Sequence, residues 1–229
     1  NFKNKTVVIT GGARGIGLET ALQFAESGAN VSILSKTFYS ELDSKFKPFE
    51  SRIKFYKVDV ANSKSLKKSI KEIINTSGSI DILVNNASIA IEGTLDKIDE
   101  NDWEKVMNTN VKSYFLCTKE VINGMIKNKY GKIINVSSIA GRDKSILLGA
   151  AYSTSKAAVI GFTRHIATEV GKYGINVNCI CPSQTYTPML RDIFKKNKGL
   201  EDVVKDRNPM GYIAKPNQIS TVILFLASD

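Results

Sequence analysis

The sequence contains little of what several classes of protein require. Its three cysteines, Cys117, Cys179 and Cys181, fit neither a metal-binding spacing nor a set of disulfides, so we expect buried thiols in a reducing compartment. The only histidine, His165, excludes a histidine-rich metal site and leaves no local Ser–His–Asp triad, and we expect it on a helix surface. We therefore expect no metal in the functional site.

Long apolar runs are also missing. None approaches the roughly 18 residues that span a bilayer, and "NFKNKTVVITGG" leads from two lysines into a short strand-like run instead of a signal peptide. The missing initiator Met indicates a chain trimmed at its start. With 42% hydrophobic residues, the 229-residue chain can nevertheless form a core. We predict one domain over 1–229, a cytoplasmic location and no membrane partner.

Acidic residues are fewer than basic ones, 22 against 32, which gives a net charge of +10. Such a charge suggests nucleic-acid binding, but the lysines are scattered with acids between many of them, as in "FKKNKGLEDVVKD". No basic stripe alternates with aromatic residues, so we predict a solvated surface and no nucleic-acid partner. A nucleic-acid binder would instead show steep salt dependence. A milder interpretation is attraction of phosphates or of an acidic carrier protein.

Short β-branched runs alternate with helical spacing along the chain. The predicted strands are 6–10, 30–35, 53–60, 80–87, 132–138 and 175–182. The predicted helices are 15–27, 63–77, 101–128, 151–173 and one beginning near Pro216, with a polar stretch at 36–50 and a loop with short helices at 183–214. This alternation predicts an α/β fold, a doubly wound Rossmann-type parallel sheet with helices on both faces. Ligands should then bind beyond the carboxyl ends of the strands.

A glycine-rich turn, "TGGARGIG" at 10–17, follows the first predicted strand and opens a helix. Gly11, Gly15 and Gly17 allow a sharp turn and close approach of a ligand, and the helix N-terminus attracts a pyrophosphate. The alternative is a tight turn that binds nothing.

The end of the second predicted strand bears on the choice of cofactor. It carries Ser35 and Lys36, with no acid until Glu41, and Arg14 lies in the glycine turn. Two cations and no carboxylate favour NADP(H) over NAD(H), because an acid there would repel a 2′-phosphate. The alternative is that Lys36 points into solvent.

In "AAYSTSKAAVIGF", residues 150–162, Tyr152 and Lys156 stand four positions apart and so share one helix face. A nearby cation lowers the pKa of a phenol from its usual value near 10. We expect Lys156, with an oxidised nicotinamide, to do this and to make Tyr152 a general acid or base for a carbonyl or an alcohol. The spacing alone would equally fit a surface pair, and the glycine turn favours the chemical interpretation.

The assembled motifs resemble those of the short-chain dehydrogenase/reductase family over essentially the whole chain. They are "TGGARGIG", "DV" at 59–60, "NNAS" at 85–88, "NTNV" at 108–111, "NVSS" at 135–138, "YSTSK" at 152–156 and "CPSQTYTP" at 181–188. Ser88 and Ser183 stand where the family usually has glycine. The sequence also ends at "LASD", where the family continues into a seventh strand, so either the chain is truncated or its sheet ends early.

The resemblance implies a catalytic set of Asn110, Ser138, Tyr152 and Lys156. Ser138, preferred over Ser137 on motif register, would hydrogen-bond the substrate oxygen. Asn110 would hold a proton-relay water, bond the backbone, or do both, and Lys156 would also contact the nicotinamide ribose. With the glycine turn and the end of the second strand, the predicted cofactor contacts are Gly11, Arg14, Gly15, Ile16, Gly17, Ser35, Lys36, Asp59 and Val60 (adenine), Asn86 and Ala87 (ribose and phosphate), Tyr152, Lys156, Pro182, Thr185 (carboxamide) and Thr187 (phosphate).

Together these expectations describe an NADP(H)-dependent oxidoreductase that interconverts a carbonyl and a secondary alcohol. The family members that look most similar, the 3-oxoacyl-[acyl-carrier-protein] reductases, imply an acyl thioester substrate, an acidic carrier protein and fatty acid biosynthesis. The polar loop "SQTYTPMLRD" supports a sugar or polyol dehydrogenase as the alternative. A non-catalytic nucleotide-binding scaffold would not need the four-residue set. By analogy with the family, the long helices at 101–128 and 151–173 imply a homodimer or homotetramer.

Overall fold

The computed structural model describes residues 1–145 and 147–229, and a parallel β-sheet lies at its centre. The strands are β1 (Thr6–Thr10), β2 (Asn30–Ser35), β3 (Ile53–Lys57), β4 (Ile82–Asn85), β5 (Gly131–Val136) and β6 (Ile175–Ile180). The α-helices are α1 (Gly15–Glu26), α2 (Glu41–Phe46), α3 (Ser63–Ser77), α4 (Glu100–Met107), α5 (Ser113–Asn128), α6 (Ala150–Val170), α7 (Pro188–Lys196), α8 (Leu200–Asp206) and α9 (Pro216–Ala227).

The strand order is β3-β2-β1-β4-β5-β6, and every neighbouring pair is parallel. The chain builds outward from β1 to β3, crosses back to β4 and continues outward to β6. The direction of winding therefore reverses between β1 and β4, where the helices that follow the two strands diverge to opposite faces and leave a crevice at the carboxyl ends. The predicted doubly wound Rossmann-type fold is confirmed.

The alternation of side chains along the central strands divides the core into two layers. Val8, Leu83 and Ile133 are in register across β1, β4 and β5 and contact the apolar residues of α3 and α5. Their neighbours Ile9 and Val84 point to the opposite face, where α1 and α9 cover them. Because both faces are buried, these strands need continuous apolar runs, which is why "VVI" and "ILV" are strands here.

The predicted helix over 101–128 is interrupted. The structure has α4, a π-helical turn at Asn108–Lys112 and then α5, with the Ser113 amide donating to the Asn108 carbonyl instead of to the residue four positions back. Such an insertion is invisible to a 3.6-residue pattern, because apolar residues continue on both sides of it. π-Turns of this kind are frequent at functional sites.

Other boundaries differ in a consistent direction. The strands predicted at 53–60, 80–87, 132–138 and 175–182 each end two or three residues early, at the carboxyl edge of the sheet. The loop at 183–214 contains the short helices α7 and α8, as predicted, whereas α2, within the polar stretch at 36–50, was not predicted.

The structure shows where the single histidine and the three cysteines lie. His165 is exposed on α6, as predicted. Cys117 is buried, but Cys179 and Cys181 are only half-buried, so the prediction of three buried thiols is wrong for the last two, which lie at the end of the edge strand β6.

Within 1–145 and 147–229, no helix combines the length and the apolar character needed to cross a membrane, and no cluster of three metal-ligating side chains occurs.

Candidate active site

A cavity of about 620 Å³ opens at the carboxyl ends of the strands, where the winding reverses. Sixteen of the eighteen predicted site residues line it: Gly11, Arg14, Gly15, Ile16, Ser35, Lys36, Asp59, Val60, Asn86, Ala87, Ser138, Tyr152, Lys156, Pro182, Thr185 and Thr187. Gly17 and Asn110 do not line the cavity and act behind its wall. Residues more than 170 positions apart in sequence thus meet at one edge of the sheet.

The glycine turn has the shape of a phosphate cradle. Gly11 has a φ of +67°, and a Cβ there would lie 2.8 Å from the Cα of Ala87. A Cβ on Gly17 would lie 2.5 Å from both the Gly11 carbonyl oxygen and the Asn86 amide, so Gly17 allows α1 to pack closely against the turn. No side chain caps the first turn of α1 among the described residues, and its N–H groups stay available at the cavity.

Asn86 ties the glycine turn to the end of β4. Its side-chain amide donates to the carbonyls of Thr10 (3.0 Å) and Gly11 (3.1 Å). In return, the Thr10 hydroxyl accepts from the backbone N–H groups of Asn86 and Ala87, at 3.0 Å each. These bonds fix the backbone on both sides of the crevice, so Asn86 has a positioning role in addition to lining the cavity.

An ion pair closes the end of the cavity nearest β2 and β3. Lys36 Nζ lies 2.9 Å from Asp59 Oδ2, and the other carboxylate oxygen accepts from the Ala61 amide at 3.0 Å. Partial burial raises the pKa of Asp59, but the hydrogen bonds from Lys36 and Ala61 outweigh that effect and hold the pKa below its ordinary value. The Lys36 side chain is 77% exposed, as the alternative of a lysine that points into solvent expects, and its ammonium pairs with Asp59 at the edge of the cavity.

Tyr152 and Lys156 lie one turn apart on α6, as their spacing predicts. Lys156 is 1% exposed, and its Nζ donates to the Val136 carbonyl at 2.9 Å, at the end of β5. Burial lowers the pKa of Lys156 to about 8, with the nearby thiols of Cys179 and Cys181 acting in the opposite direction. The ammonium is thus poised to titrate near neutral pH.

In the chain alone the pKa of Tyr152 is raised, whereas Lys156 and an oxidised nicotinamide together are expected to lower it. Burial, which disfavours the phenolate, raises the pKa of Tyr152 above that of a free tyrosine, and the hydrogen-bonding Ser138 hydroxyl offsets only part of the rise. Lys156 Nζ lies 5.6 Å from the centroid of the Tyr152 ring and bonds Val136 instead of the phenol oxygen.

The two candidate serines after β5 have different partners. The Ser137 hydroxyl donates to the Lys156 backbone carbonyl at 2.7 Å, which anchors α6 against the strand. The Ser138 oxygen accepts from the Ala140 amide at 3.2 Å, which leaves its proton available on the cavity side, next to Tyr152. This arrangement favours Ser138 as the serine that contacts a substrate.

Asn110 is fully buried in the π-helical turn, and its side chain is occupied by backbone. Its oxygen accepts from the Ile89 amide at 2.9 Å, and its nitrogen donates to the Ile89 carbonyl at 2.9 Å and to Ser155 Oγ at 3.0 Å. This is the backbone-bonding alternative. Asn110 therefore joins the segment after β4 to α6 and contributes no side-chain atom to the cavity wall.

Part of the cavity was not predicted from the sequence. Its apolar wall consists of Leu147, Leu148, Met189, Leu190 and Ile193. Leu190 and Ile193 stand three positions apart on α7, a helical spacing that could have identified an inward apolar face at the end of "SQTYTPMLRD" and the residue after it. Leu147 and Leu148 lie in an irregular segment with no periodic signal.

The residues present fit a nicotinamide dinucleotide. The uncapped N-terminus of α1 and the glycine turn match the needs of a pyrophosphate. Ser88, beside Ala87 on the cavity wall, has a buried hydroxyl oxygen with no hydrogen-bond partner in the described chain, as expected of a group that a ligand completes.

Comparison with known proteins agrees with this site. The model of the short chain dehydrogenase family matches residues 5–198. The chain is 38% identical to the (2S)-[(R)-hydroxy(phenyl)methyl]succinyl-CoA dehydrogenase subunit BbsD of Thauera aromatica, covering 100% of this chain and 91% of that protein. It is 37% identical to the 3-oxoacyl-[acyl-carrier-protein] reductase FabG of Thermotoga maritima, covering 100% and 92%.

Among solved structures, "ElxO with NADP Bound" superposes with a TM-score of 0.91 at 32% identity, covering 98% of this chain and 92% of that one. Together with the crevice, the glycine turn and the Ser138–Tyr152–Lys156 group at its wall, these matches show that the chain is an oxidoreductase of the short-chain dehydrogenase/reductase family.

Proposed function

We propose that the protein is an NADP(H)-dependent reductase of 3-oxoacyl thioesters, with Tyr152 as the general acid and base. The observation that carries this proposal is the cavity itself, because it joins the glycine turn, the Ser138–Tyr152 pair and an apolar wall in one space. A dinucleotide on the turn and an acyl group against the wall would then meet at the tyrosine.

The bound cofactor supplies or accepts the hydride, and the chain's own residues manage the proton and the charge. In reduction, the Ser138 hydroxyl donates a hydrogen bond to the substrate carbonyl oxygen, and Tyr152 transfers its phenolic proton to that oxygen. The resulting phenolate lies near the Lys156 ammonium, which stabilises it until a solvent proton restores the phenol. The oxidation of an alcohol uses the same groups in reverse.

The preference for NADP(H) is supported by the cations at the adenosine end. Arg14 and Lys36 both line the cavity, and Ser35 places no acid at the end of β2. A 2′-phosphate would draw Lys36 away from Asp59 and form a charge-assisted bond of its own. In our proposal Asp59 then accepts from the adenine amino group, with Val60 beside it, and Thr187 and Thr185 contact a phosphate and the carboxamide.

The acyl thioester is supported by two observations. The loop that suggested a sugar substrate lines the cavity with Met189 and Leu190, and Ile193 follows it on the same wall. An apolar wall gives no hydrogen bonds to sugar hydroxyls. Two of the similar proteins are named for thioester substrates, one of CoA and one of acyl carrier protein. A sugar or polyol dehydrogenase remains the alternative that the assay below tests.

Exposed cations on the outer face of α7 support the proposal that the acyl group is bound to a negatively charged carrier. Arg191 and Lys195 are exposed on it, and Lys198 follows it, while Leu190 and Ile193 are buried beneath. This arrangement places cations at the rim of the apolar wall, where an acidic carrier protein or the phosphates of CoA would dock. We place the protein in the cytoplasm, as a homodimer or homotetramer that reduces fatty acid precursors.

The assay follows absorbance at 340 nm with NADPH or NADH and, in turn, acetoacetyl-CoA, sugars and small ketones. We expect oxidation of NADPH by acetoacetyl-CoA. Tyr152→Phe should lower kcat at least about 100-fold, while Tyr173→Phe, outside the cavity, serves as the matched control. Turnover of a sugar without any turnover of thioesters would favour the alternative, and a Tyr152→Phe variant with full activity would refute the acid–base assignment.

A further inference from the structure

Tyr114 on α5 belongs to none of the predicted motifs, yet it lies directly behind the catalytic group. Its side chain is completely buried, and its hydroxyl donates to the Val136 carbonyl at 3.1 Å. Burial raises its pKa well above the usual value for tyrosine, so the phenol stays neutral and remains a donor. Val136 is the last residue of β5, immediately before the two serines of the site.

The same carbonyl holds Lys156. The lysine Nζ donates to the Val136 oxygen at 2.9 Å, so both lone pairs of that oxygen are used, one by the ammonium and one by Tyr114. Lys156 Nζ also lies 5.7 Å from the centroid of the Tyr114 ring and 5.6 Å from that of Tyr152. Both distances are within the range in which a ring attracts a cation.

The other groups that act on Lys156 give it little electrostatic support. They are the thiols of Cys179, on β6, and of Cys181, directly after it. Of the described residues, none that shifts the pKa of Lys156 is a carboxylate. Burial raises the pKa of Cys179 to about 11, so this thiol is uncharged near neutral pH. An ammonium buried without a carboxylate partner depends on hydrogen bonds and aromatic rings.

We propose that Tyr114 is a positioning residue for Lys156: its ring helps keep the buried amine protonated, and its hydroxyl fixes the Val136 carbonyl that anchors it. This inference rests on the proposed function only for its kinetic consequence. The phenylalanine variant separates the two parts, because it keeps the ring and removes the hydroxyl. The leucine variant removes both.

The first measurement follows Lys156 by NMR in the whole protein, without cofactor, using ¹³C-labelled lysine and Lys156→Met to assign the signal. We expect Tyr114→Leu to increase the acid ionisation constant of Lys156 about tenfold, because a buried cation–π contact is lost. Tyr114→Phe should leave that constant within about threefold of wild type. Val121→Ala, a truncation at a buried position of the same helix that faces α3, is the control for general loosening of α5.

The second measurement is the pH dependence of kcat with NADPH and acetoacetyl-CoA. Activity should fall as Lys156 loses its proton, so Tyr114→Leu should move the alkaline limb to lower pH. Tyr114→Phe should reduce kcat about threefold to tenfold at every pH, because only the bond that fixes the carbonyl is lost. A Lys156 that titrates alike in wild type and Tyr114→Leu, or equal shifts in the two variants, would overturn the inference. A shifted NMR titration in a protein that reduces no carbonyl would support it and refute the proposed function instead.

Discussion

Replacement of Lys156 by Met should make the folded chain more stable at neutral pH while removing its activity. The lysine is 1% exposed, and its ammonium has a single hydrogen bond, to Val136, in the part of the chain that the structure describes. Burying a charged group costs free energy, because the charge loses its hydration. Methionine has a similar length, carries no charge and adapts to irregular space in a core.

The magnitude follows from the lowered pKa of Lys156, about 8 against the ordinary 10.5. At roughly 1.4 kcal/mol for each pKa unit, protonation of this amine opposes folding by about 3 kcal/mol at pH 7. The lost bond to Val136 offsets about 1 kcal/mol, and Tyr114 keeps that carbonyl partnered. We therefore expect Lys156→Met to unfold with a free energy about 2 kcal/mol higher, and a Tm about 4 to 8 °C higher.

The pH dependence of stability separates this charge effect from a simple gain in packing by the methionine. The folded pKa lies below the unfolded one, so between pH 8 and 10.5 the unfolded chain binds more protons and wild-type stability rises with pH. Urea unfolding of both proteins at pH 7 and above pH 10.5 should show the advantage of Lys156→Met at the first pH and its loss at the second. A variant that is less stable at pH 7, or whose advantage is the same at both pH values, would refute the reasoning.

Three further changes test other parts of the site. Lys36→Ala should raise the KM for NADPH about 10-fold to 100-fold and that for NADH far less, because a charge-assisted bond to the 2′-phosphate is lost; equal losses for the two cofactors in steady-state assays would contradict this role. Ser88→Ala should weaken NADPH binding about threefold to tenfold in a fluorescence titration, because the buried hydroxyl then has no bond to offer the ligand. Gly17→Ala should reduce NADPH affinity at least about tenfold and lower the Tm, because its Cβ would meet the Gly11 carbonyl and the Asn86 amide at 2.5 Å; a variant with normal affinity and Tm would show that the turn can move aside.

The sheet was predictable because its physical requirement is simple. A strand buried on both faces must be apolar throughout, and "TVVIT" and "IDILVNNA" contain such runs at the places where β1 and β4 occur. The predicted strands extend too far at their carboxyl ends for the same reason. Val58 and Val60 lie beyond the end of β3 but are still buried. Their apolar side chains therefore indicate burial at the cavity and not a position in the sheet.

The break between α4 and α5 depends on a contact that sequence spacing does not contain. Asn110 bonds both backbone groups of Ile89, a residue twenty-one positions earlier. This pair of bonds forms only when the segment after β4 lies against the helix. The π-helical turn places the Asn110 side chain where it can make both bonds. A bond from Asn110 to backbone was among the expectations, but its partner, Ile89, could not be predicted from the sequence.

The electrostatics of Tyr152 show most clearly where sequence reasoning stops. Tyr152 and Lys156 are four positions apart on a helix, so the lysine lies beside the tyrosine. This spacing alone predicts a lowered pKa for the phenol. The folded chain adds burial, which acts on both groups in opposite directions: it raises the pKa of Tyr152 and lowers that of Lys156 to about 8. Each group is thereby held more firmly in its neutral form than it would be in water, so the phenol keeps its proton until a substrate oxygen takes it. The charge pair that the spacing suggested therefore depends on a protonated Lys156, and it requires Tyr114 and Val136 to keep the amine protonated and in place.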